Sequence, residues 1–222
     1  MSGDDESSCI EVQEDDQGIG ARRPPPPGVD VRARADLVLE HVQRVVAVAV
    51  EPVELLTEAG GLLRRLALCG TAVEILLATD GTVDGRAVTR MYSRIGLPDT
   101  PRHRLGLRRL RPSPAGDDVL AALSEIIGFD PEPGLAILAP AALPGRIDRT
   151  MLSRIARLAA EIYRADLVRH LPIDDVARPW TVTCPLTAEE ARRKRYALGR
   201  PVTADEERFV VERAIPAQRT VS

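Results

Sequence analysis

A strand, a helix and a second strand follow one another between residues 45 and 81, and this order constrains the fold more than any other feature of the chain. Residues 45–50 form a continuous apolar run rich in valine, which is typical of a parallel strand buried on both faces. Pro52 suits the first turn of a helix, and Gly70 is expected to end that helix. Residues 73–79 form a second apolar run. This β-α-β unit predicts an open α/β sheet whose ligand crevice lies just past the first strand, at Glu51.

The rest of the chain continues this alternation of strands and helices. Helices are expected over residues 84–95, 117–127 and 148–171, and after a capping sequence at 187–190. Strands are expected over residues 102–111, 135–139 and 180–186, with a short edge strand or helical turn at 209–211. The predicted fold class is α/β, a Rossmann-like three-layer sandwich with a mostly parallel sheet and helices on both faces.

Composition divides the chain into three segments. Residues 1–35 are predicted to be a disordered tail, because the first twenty residues carry seven acids and no base, and a run of four prolines occupies 24–27. Residues 36–200 are expected to form the α/β domain, and 201–222 a C-terminal extension. Since the whole chain has a formal net charge of −3, the part that follows the acidic tail is mildly basic.

Cysteine usage and hydropathy indicate where such a chain works. The three cysteines have neither metal-ligand spacing nor a disulfide pattern, so we expect reduced thiols, a buried Cys69 and a cytoplasmic location. We find no signal peptide and no apolar run of the roughly 18 residues that cross a bilayer, so no membrane partner is expected. Lys194 is the only lysine among 30 basic residues, which indicates a GC-rich, bacterial genome.

Three small motifs in the first β-α-β unit carry a family resemblance. Pro52 follows the first strand, Gly60-Gly61 lies within the helix, and Thr79-Asp80-Gly81 follows the second strand. In these residues and their spacing the unit resembles that of the PIG-L/LmbE-like family, zinc-dependent deacetylases of N-acetylglucosamine-type substrates. The resemblance implies a Rossmann-like fold and a crevice for a sugar-sized ligand.

The positions that carry the chemistry of that family differ in this chain. In the family, the first strand ends in His-Pro-Asp-Asp-Glu, and a later loop carries Asp-His, whose histidine completes the zinc site. The matching positions here are Glu51, Pro52, Val53, Glu54 and Leu55, then Asp148 and Arg149. Both imidazoles are therefore replaced, by Glu51 and Arg149. Val53 stands at the general-base position and cannot accept a proton.

These replacements favour a catalytically inactive relative, a pseudoenzyme with a binding or regulatory role. We expect no catalytic residue and no cofactor, and we take Glu51, Glu54, Asp148 and Arg149 as the crevice positions. Arg149 is expected to form ion pairs with the crevice glutamates. The expected partner is either a sugar-like small molecule or another protein.

Two alternatives stay open. Glu51, Glu54 and Asp148 together would suit a divalent metal, Mg²⁺ or Mn²⁺ more than Zn²⁺, in an N-deacetylase with an altered metal site. Arg149 and the arginines of residues 102–111 would instead suit an arginine-based anion-binding module. Because no aromatic residues lie among these arginines, a basic strand edge is the simpler interpretation and no nucleic-acid partner is expected.

The remaining polar candidates have plainer expected roles. Asp148 is expected to be the N-cap of the helix over 148–171. His41 and His103 are expected at the surface, and His170 at the far end of that helix, out of reach of the crevice.

Overall fold

The computed structural model describes residues 39–79, 81, 83–110, 115–129, 131, 133–172, 181–201 and 206–213. The predicted tail over 1–35 lies outside these residues, and so do Asp80 of the Thr-Asp-Gly motif and residues 214–222 of the C-terminal extension.

Strands and helices alternate through most of the described chain. In chain order the elements are β1 (Arg44–Ala49), α1 (Pro52–Leu68), β2 (Ala72–Thr79), α2 (Gly85–Ile95), β3 (Arg102–Leu107), α3 (Ala115–Ile127), β4 (Leu135–Pro140), α4 (Ile147–Tyr163), β5 (Asp166–His170), β6 (Val182–Pro185), α5 (Ala188–Leu198) and β7 (Glu206–Glu212).

The strands form one sheet in the order β3-β2-β1-β4-β5-β7-β6. The first five strands in this order are parallel, whereas β7 pairs antiparallel with both β5 and β6. This is the predicted Rossmann-like α/β fold, with a topological switch point between β1 and β4, where ligands bind in sheets of this kind. β7 lies within the predicted C-terminal extension and is an internal strand of the sheet rather than an edge.

Alternate residues of β1 face the two helical layers. Val45, Ala47 and Ala49 pack with the buried faces of α1, α2 and α5, and the intervening Val46 and Val48 pack with α3 and α4. A strand buried on both faces needs the continuous apolar run that the sequence shows. β3 is the edge strand on one side, and its arginines and the exposed His103 form the predicted basic strand edge.

The two glycines of α1 allow neighbouring elements to approach closely. A Cβ atom on Gly60 would lie 2.5 Å from Cδ1 of Ile95, and one on Gly61 would lie 2.3 Å from Cδ2 of Leu186. The glycine pair therefore brings α2 and the start of α5 against one helix, despite the lower helix propensity of glycine.

The expected end of the helix over 148–171 and the expected burial of Cys69 are both wrong. The helix expected over 148–171 ends at Tyr163, because Arg164 adopts a left-handed conformation (φ 52°) and β5 begins at Asp166. Cys69, expected to be buried, follows the end of α1 and is exposed. Across the described ranges, no helix is long and apolar enough to cross a membrane.

Candidate functional site

The switch point between β1 and β4 positions the candidate site. The chain leaves β1 through Glu51 into α1, and it leaves β4 at Pro140 toward α4. Because both strands end at the same edge of the sheet, the first turns of α1 and α4 face one another across the crevice. Their side chains are therefore close enough to bind each other.

Two glutamates of α1 point into this crevice. Glu54 lies in the first turn of α1, and Glu58 follows four residues later, on the same face of the helix. Glu58 is buried among apolar neighbours of α1, and Glu54 is about four-fifths buried. Buried carboxylates need compensating partners, and the crevice supplies them.

Arg149 of α4 reaches across the crevice and uses all of its N–H donors. Nη1 donates to Oε1 of Glu54 (2.7 Å) and to Oε1 of Glu58 (2.9 Å). Nη2 donates to Oε2 of Glu58 (2.7 Å) and to the carbonyl oxygen of His170 (3.1 Å). Nε donates to the carbonyl oxygen of Ala141 (2.7 Å). A guanidinium group has five donors, so none is left for a ligand.

His170, at the end of β5, completes the cluster. Its Nδ1 lies 2.6 Å from Oε2 of Glu58, and the ring is fully buried. The Glu58 carboxylate accepts this hydrogen bond, so Nδ1 is its donor. Among the residues that the structure describes, Nε2 of His170 has no hydrogen-bond partner. We call Glu54, Glu58, Arg149 and His170 the crevice cluster.

The two glutamates respond differently to the same crevice. Burial raises the pKa of Glu54, and the nearby Arg149 charge offsets this only in part. Burial also acts to raise the pKa of Glu58, but the hydrogen bonds from His170 and Arg149 outweigh it, so the pKa of Glu58 is lowered. Glu58 is therefore the firmly ionised partner of Arg149.

The sequence-predicted site residues separate into two groups. Glu54 and Arg149 meet as predicted, at 2.7 Å. Glu51 is exposed beside Gly81 and forms no ion pair with the described residues. Val53 packs against the hydrophobic core.

Asp148 has a different role from the expected N-cap. Arg146 precedes the helix, and Asp148 lies within its first turn. Oδ1 of Asp148 accepts a hydrogen bond from the backbone N–H of Leu110 (3.0 Å), so it ties the segment after β3 to α4.

The crevice does not fit a divalent metal ion. Glu51, Glu54 and Asp148 do not assemble as the predicted three-carboxylate site, and the described residues contain no group of three or more His, Cys, Asp or Glu placed to hold a metal. The oxygens that would bind a cation already accept from Arg149. Its fixed positive charge also repels a dication.

A second buried ion pair holds the other side of α1. Glu207 of β7 accepts from the backbone N–H groups of Gly61 (2.7 Å) and Leu62 (2.8 Å). Nζ of Lys194, on α5, lies 2.7 Å from Oε1 of Glu207, and both side chains are buried. A side chain at position 61 would crowd this carboxylate, since its Cβ would lie 3.2 Å from both oxygens. We call Gly61, Leu62, Lys194 and Glu207 the glycine-pair clamp.

Sequence reasoning missed Glu58 and His170. The signal for Glu58 is its position among the apolar residues of α1, where an acid needs a buried partner. A helix over 148–171 places His170 at its far end, whereas the alternation of strands and helices indicates a strand after α4. With β5 in place, His170 stands at the carboxyl end of the strand beside β4.

Comparison with known proteins supports the fold. No family model matches the chain, and no curated protein matches its sequence. Solved structures that share the fold include a conserved protein from Thermus thermophilus, 17% identical, with a TM-score of 0.56 over 79% of this chain and 98% of that one. They also include the N,N'-diacetylchitobiose deacetylase of Pyrococcus horikoshii, 11% identical, with a TM-score of 0.54 over 79% and 86%.

A third similar structure is that of a hydratase rather than a deacetylase. The 4-carboxy-2-hydroxymuconate hydratase of Pseudomonas putida is 12% identical, with a TM-score of 0.51 over 80% of this chain and 98% of that one. A deacetylase and a hydratase thus share the fold of this chain. The TM-scores show that the chain shares the fold of these proteins, while the reaction has to be argued from the crevice.

Proposed function

We propose that this chain is a non-catalytic protein with an LmbE-like fold that acts as a binding or regulatory protein. The observation that supports this most directly is the saturation of Arg149, whose five N–H groups all bond to the protein's own oxygens. Its guanidinium group lies between Glu54 and Glu58, where a catalytic site of this fold would need an open position for a ligand and water.

The position of Val53 also supports a non-catalytic role. Metal-assisted hydrolysis of an amide needs a carboxylate that takes a proton from water, and this position is filled by a side chain packed against the core. Glu58 is ionised, but its oxygens accept from Arg149 and His170. Glu58, a buried carboxylate of the crevice, is thus held by Arg149 and His170 rather than free to accept a proton from water.

The filled crevice favours a protein partner over a sugar-like ligand. A ligand would have to displace hydrogen bonds that involve charged groups, each worth about 1.5–3 kcal/mol. The alternative of a metal-dependent deacetylase requires Arg149 to leave its place. The anion-binding alternative is weakened for Arg149, because its donors are all used.

The test is metal binding by the full chain and by matched variants. The unsubstituted chain, Glu54→Gln and the exposed-site control Glu161→Gln are soaked in Zn²⁺, Mn²⁺ or Mg²⁺, desalted and subjected to elemental analysis. We expect no stoichiometric metal in any of them, and no acetate release from N-acetylglucosamine. Near-stoichiometric metal in the chain and in Glu161→Gln, but not in Glu54→Gln, would overturn the proposal in favour of the altered-metal deacetylase.

A further inference from the structure

A groove with both apolar and polar surface lies at the end of the sheet opposite the crevice. It has a volume of about 650 Å³ and runs between the end of α3 and the end of α4. Its lining includes Phe129, Pro131, Pro133, Ile162 and Tyr163. The side chain of Phe129 is fully exposed and that of Ile162 is more than half exposed. Apolar surface concentrated in this way is typical of a docking site.

The described chain passes this groove within its first five residues. Leu39 is buried, and the backbone N–H of Gln43 donates to the carbonyl oxygen of Gly134, which lines the groove (2.9 Å). Nε2 of His41 lies 2.8 Å from Oδ2 of Asp166, two residues after the groove residue Arg164. Residues 1–38 therefore join the domain at Leu39, a few residues before the chain passes the groove, and the side chain of Leu39 packs in the core on the α1 side of the sheet.

The attached segment contains a sequence that suits such a surface. Residues 24–27 are four consecutive prolines, separated from Leu39 by a tether of about twelve residues that spans up to roughly 40 Å. Consecutive prolines favour a polyproline II helix, which docks in grooves lined by aromatic side chains at little cost in conformational entropy. Phe129 and Tyr163 supply such side chains here.

Charge favours the same occupant. The acids of residues 1–20 precede the prolines, and α4 presents the exposed Arg154 and Arg157, with Arg164 following at its end. Attraction between these acids and arginines favours binding of the tethered segment on this side of the domain.

We propose that the groove is the docking site of the chain's own N-terminal segment, with residues 24–27 against Phe129 and Tyr163. Because the tether holds the segment at an effective concentration on the order of millimolar, a weak contact is enough to keep it docked. The docked segment covers an apolar surface on the side of the domain away from the crevice cluster, so this inference is independent of the proposed function.

The test is partial trypsin digestion of the full chain, with the first cuts identified by mass spectrometry. Cleavage after Arg22 reports docking of the adjacent prolines, and cleavage after Arg34, near the domain, is the internal reference. We expect Phe129→Ser to raise the ratio of the first cut to the second by about fivefold. Replacement of Pro25, Pro26 and Pro27 by serine, which keeps Pro24 and so opens no new trypsin site after Arg23, should have the same effect, and the combined variant should add nothing further.

Leu68→Ser is the matched control, since Leu68 is another exposed apolar residue, at the end of α1. It should leave the cleavage ratio unchanged. Equal ratios in the chain and in Phe129→Ser, or an equal rise in Leu68→Ser, would overturn the proposal. A dimer in sedimentation that Phe129→Ser converts to a monomer would also overturn it, because the groove would then be an interface between two copies.

Discussion

Arg149 and Glu58 face one another through two parallel hydrogen bonds. Nη1 donates to Oε1 over 2.9 Å and Nη2 to Oε2 over 2.7 Å, and both residues are buried. This bidentate geometry is characteristic of an arginine–carboxylate pair. Because both charges are removed from water, each depends on the other for compensation.

Replacing Arg149 should destabilise the protein strongly. Arg149→Ala leaves Glu58 and Glu54 without their cation, and we expect the free energy of unfolding to fall by about 3–5 kcal/mol. Arg149→Lys should also be destabilising, because an ammonium group lacks the parallel donors. Urea denaturation measures both. The control Arg146→Ala, exposed just before α4, should stay within about 0.5 kcal/mol of the unsubstituted chain; equal effects at 146 and 149 would contradict the role of the crevice cluster.

The two crevice glutamates should differ in the pH dependence of stability. Since the fold lowers the pKa of Glu58, its stabilisation is present above the usual value of 4.5 and is lost as pH falls through the lower folded pKa. Glu58→Gln should therefore cost about 2 kcal/mol at neutral pH, and this cost should shrink in acid.

Glu54 should show the opposite trend. Its pKa is raised by burial, so the folded state favours the protonated form, and the benefit of that form is lost as pH rises through the raised pKa. Glu54→Gln, whose amide oxygen still accepts from Arg149, should equal the unsubstituted chain in acid and be the more stable protein at neutral pH. Thermal unfolding across the pH range measures both substitutions. Parallel stability curves for the two variants would refute the assignment.

Removing only the cation of the glycine-pair clamp should lower the free energy of unfolding more than removing both of its charges. Lys194→Met leaves the buried Glu207 without its cation, and we expect the free energy of unfolding to fall by about 3–5 kcal/mol. Adding Glu207→Gln removes the uncompensated charge but keeps an oxygen for the N–H groups of Gly61 and Leu62. The double variant should therefore be more stable than Lys194→Met alone in denaturant titration. A double variant that loses the sum of both single effects would show that the pair is not coupled.

Alanine should be tolerated less well at Gly61 than at Gly60. At either position, the higher helix propensity of alanine favours the helix by about 1 kcal/mol relative to glycine. A Cβ at position 60 meets only the flexible end of Ile95 among neighbouring elements, whereas one at 61 meets Leu186 and the held carboxylate of Glu207. We expect Gly61→Ala to destabilise the protein by about 1–3 kcal/mol and Gly60→Ala by less. Circular dichroism melts compare the pair, and the reverse order would disprove the close-approach argument.

Local signals allowed most of the fold to be predicted. The apolar run of β1, Pro52 at the start of α1 and the capping box of Thr187 and Glu190 each act within a few residues, and the structure contains each of them. The end of α4 could not be predicted, because an arginine in a left-handed conformation carries no glycine to mark the break.

The crevice was predicted only in part, because contacts between distant residues have no local signature. The pairing of Glu54 with Arg149 followed from the family resemblance, which placed both residues at one crevice. The hydrogen bond between Glu58 and His170 depends on the register of β5, and the clamp depends on β7 lying inside the sheet. Neither register is encoded near the residues it brings together.

The sequence separations in these contacts set the order in which the protein assembles. Glu58 bonds to residues 91 and 112 positions away, and the N–H of Gly61 bonds to a carboxylate 146 positions away. Closing such long loops comes late in folding. During synthesis α1 therefore emerges with its acids uncompensated and its glycines uncovered, and only the last third of the chain completes it. A truncated chain that stops before β5 lacks His170 of the crevice cluster and both charged residues of the glycine-pair clamp. The chain therefore has to be nearly complete before α1 is stably packed.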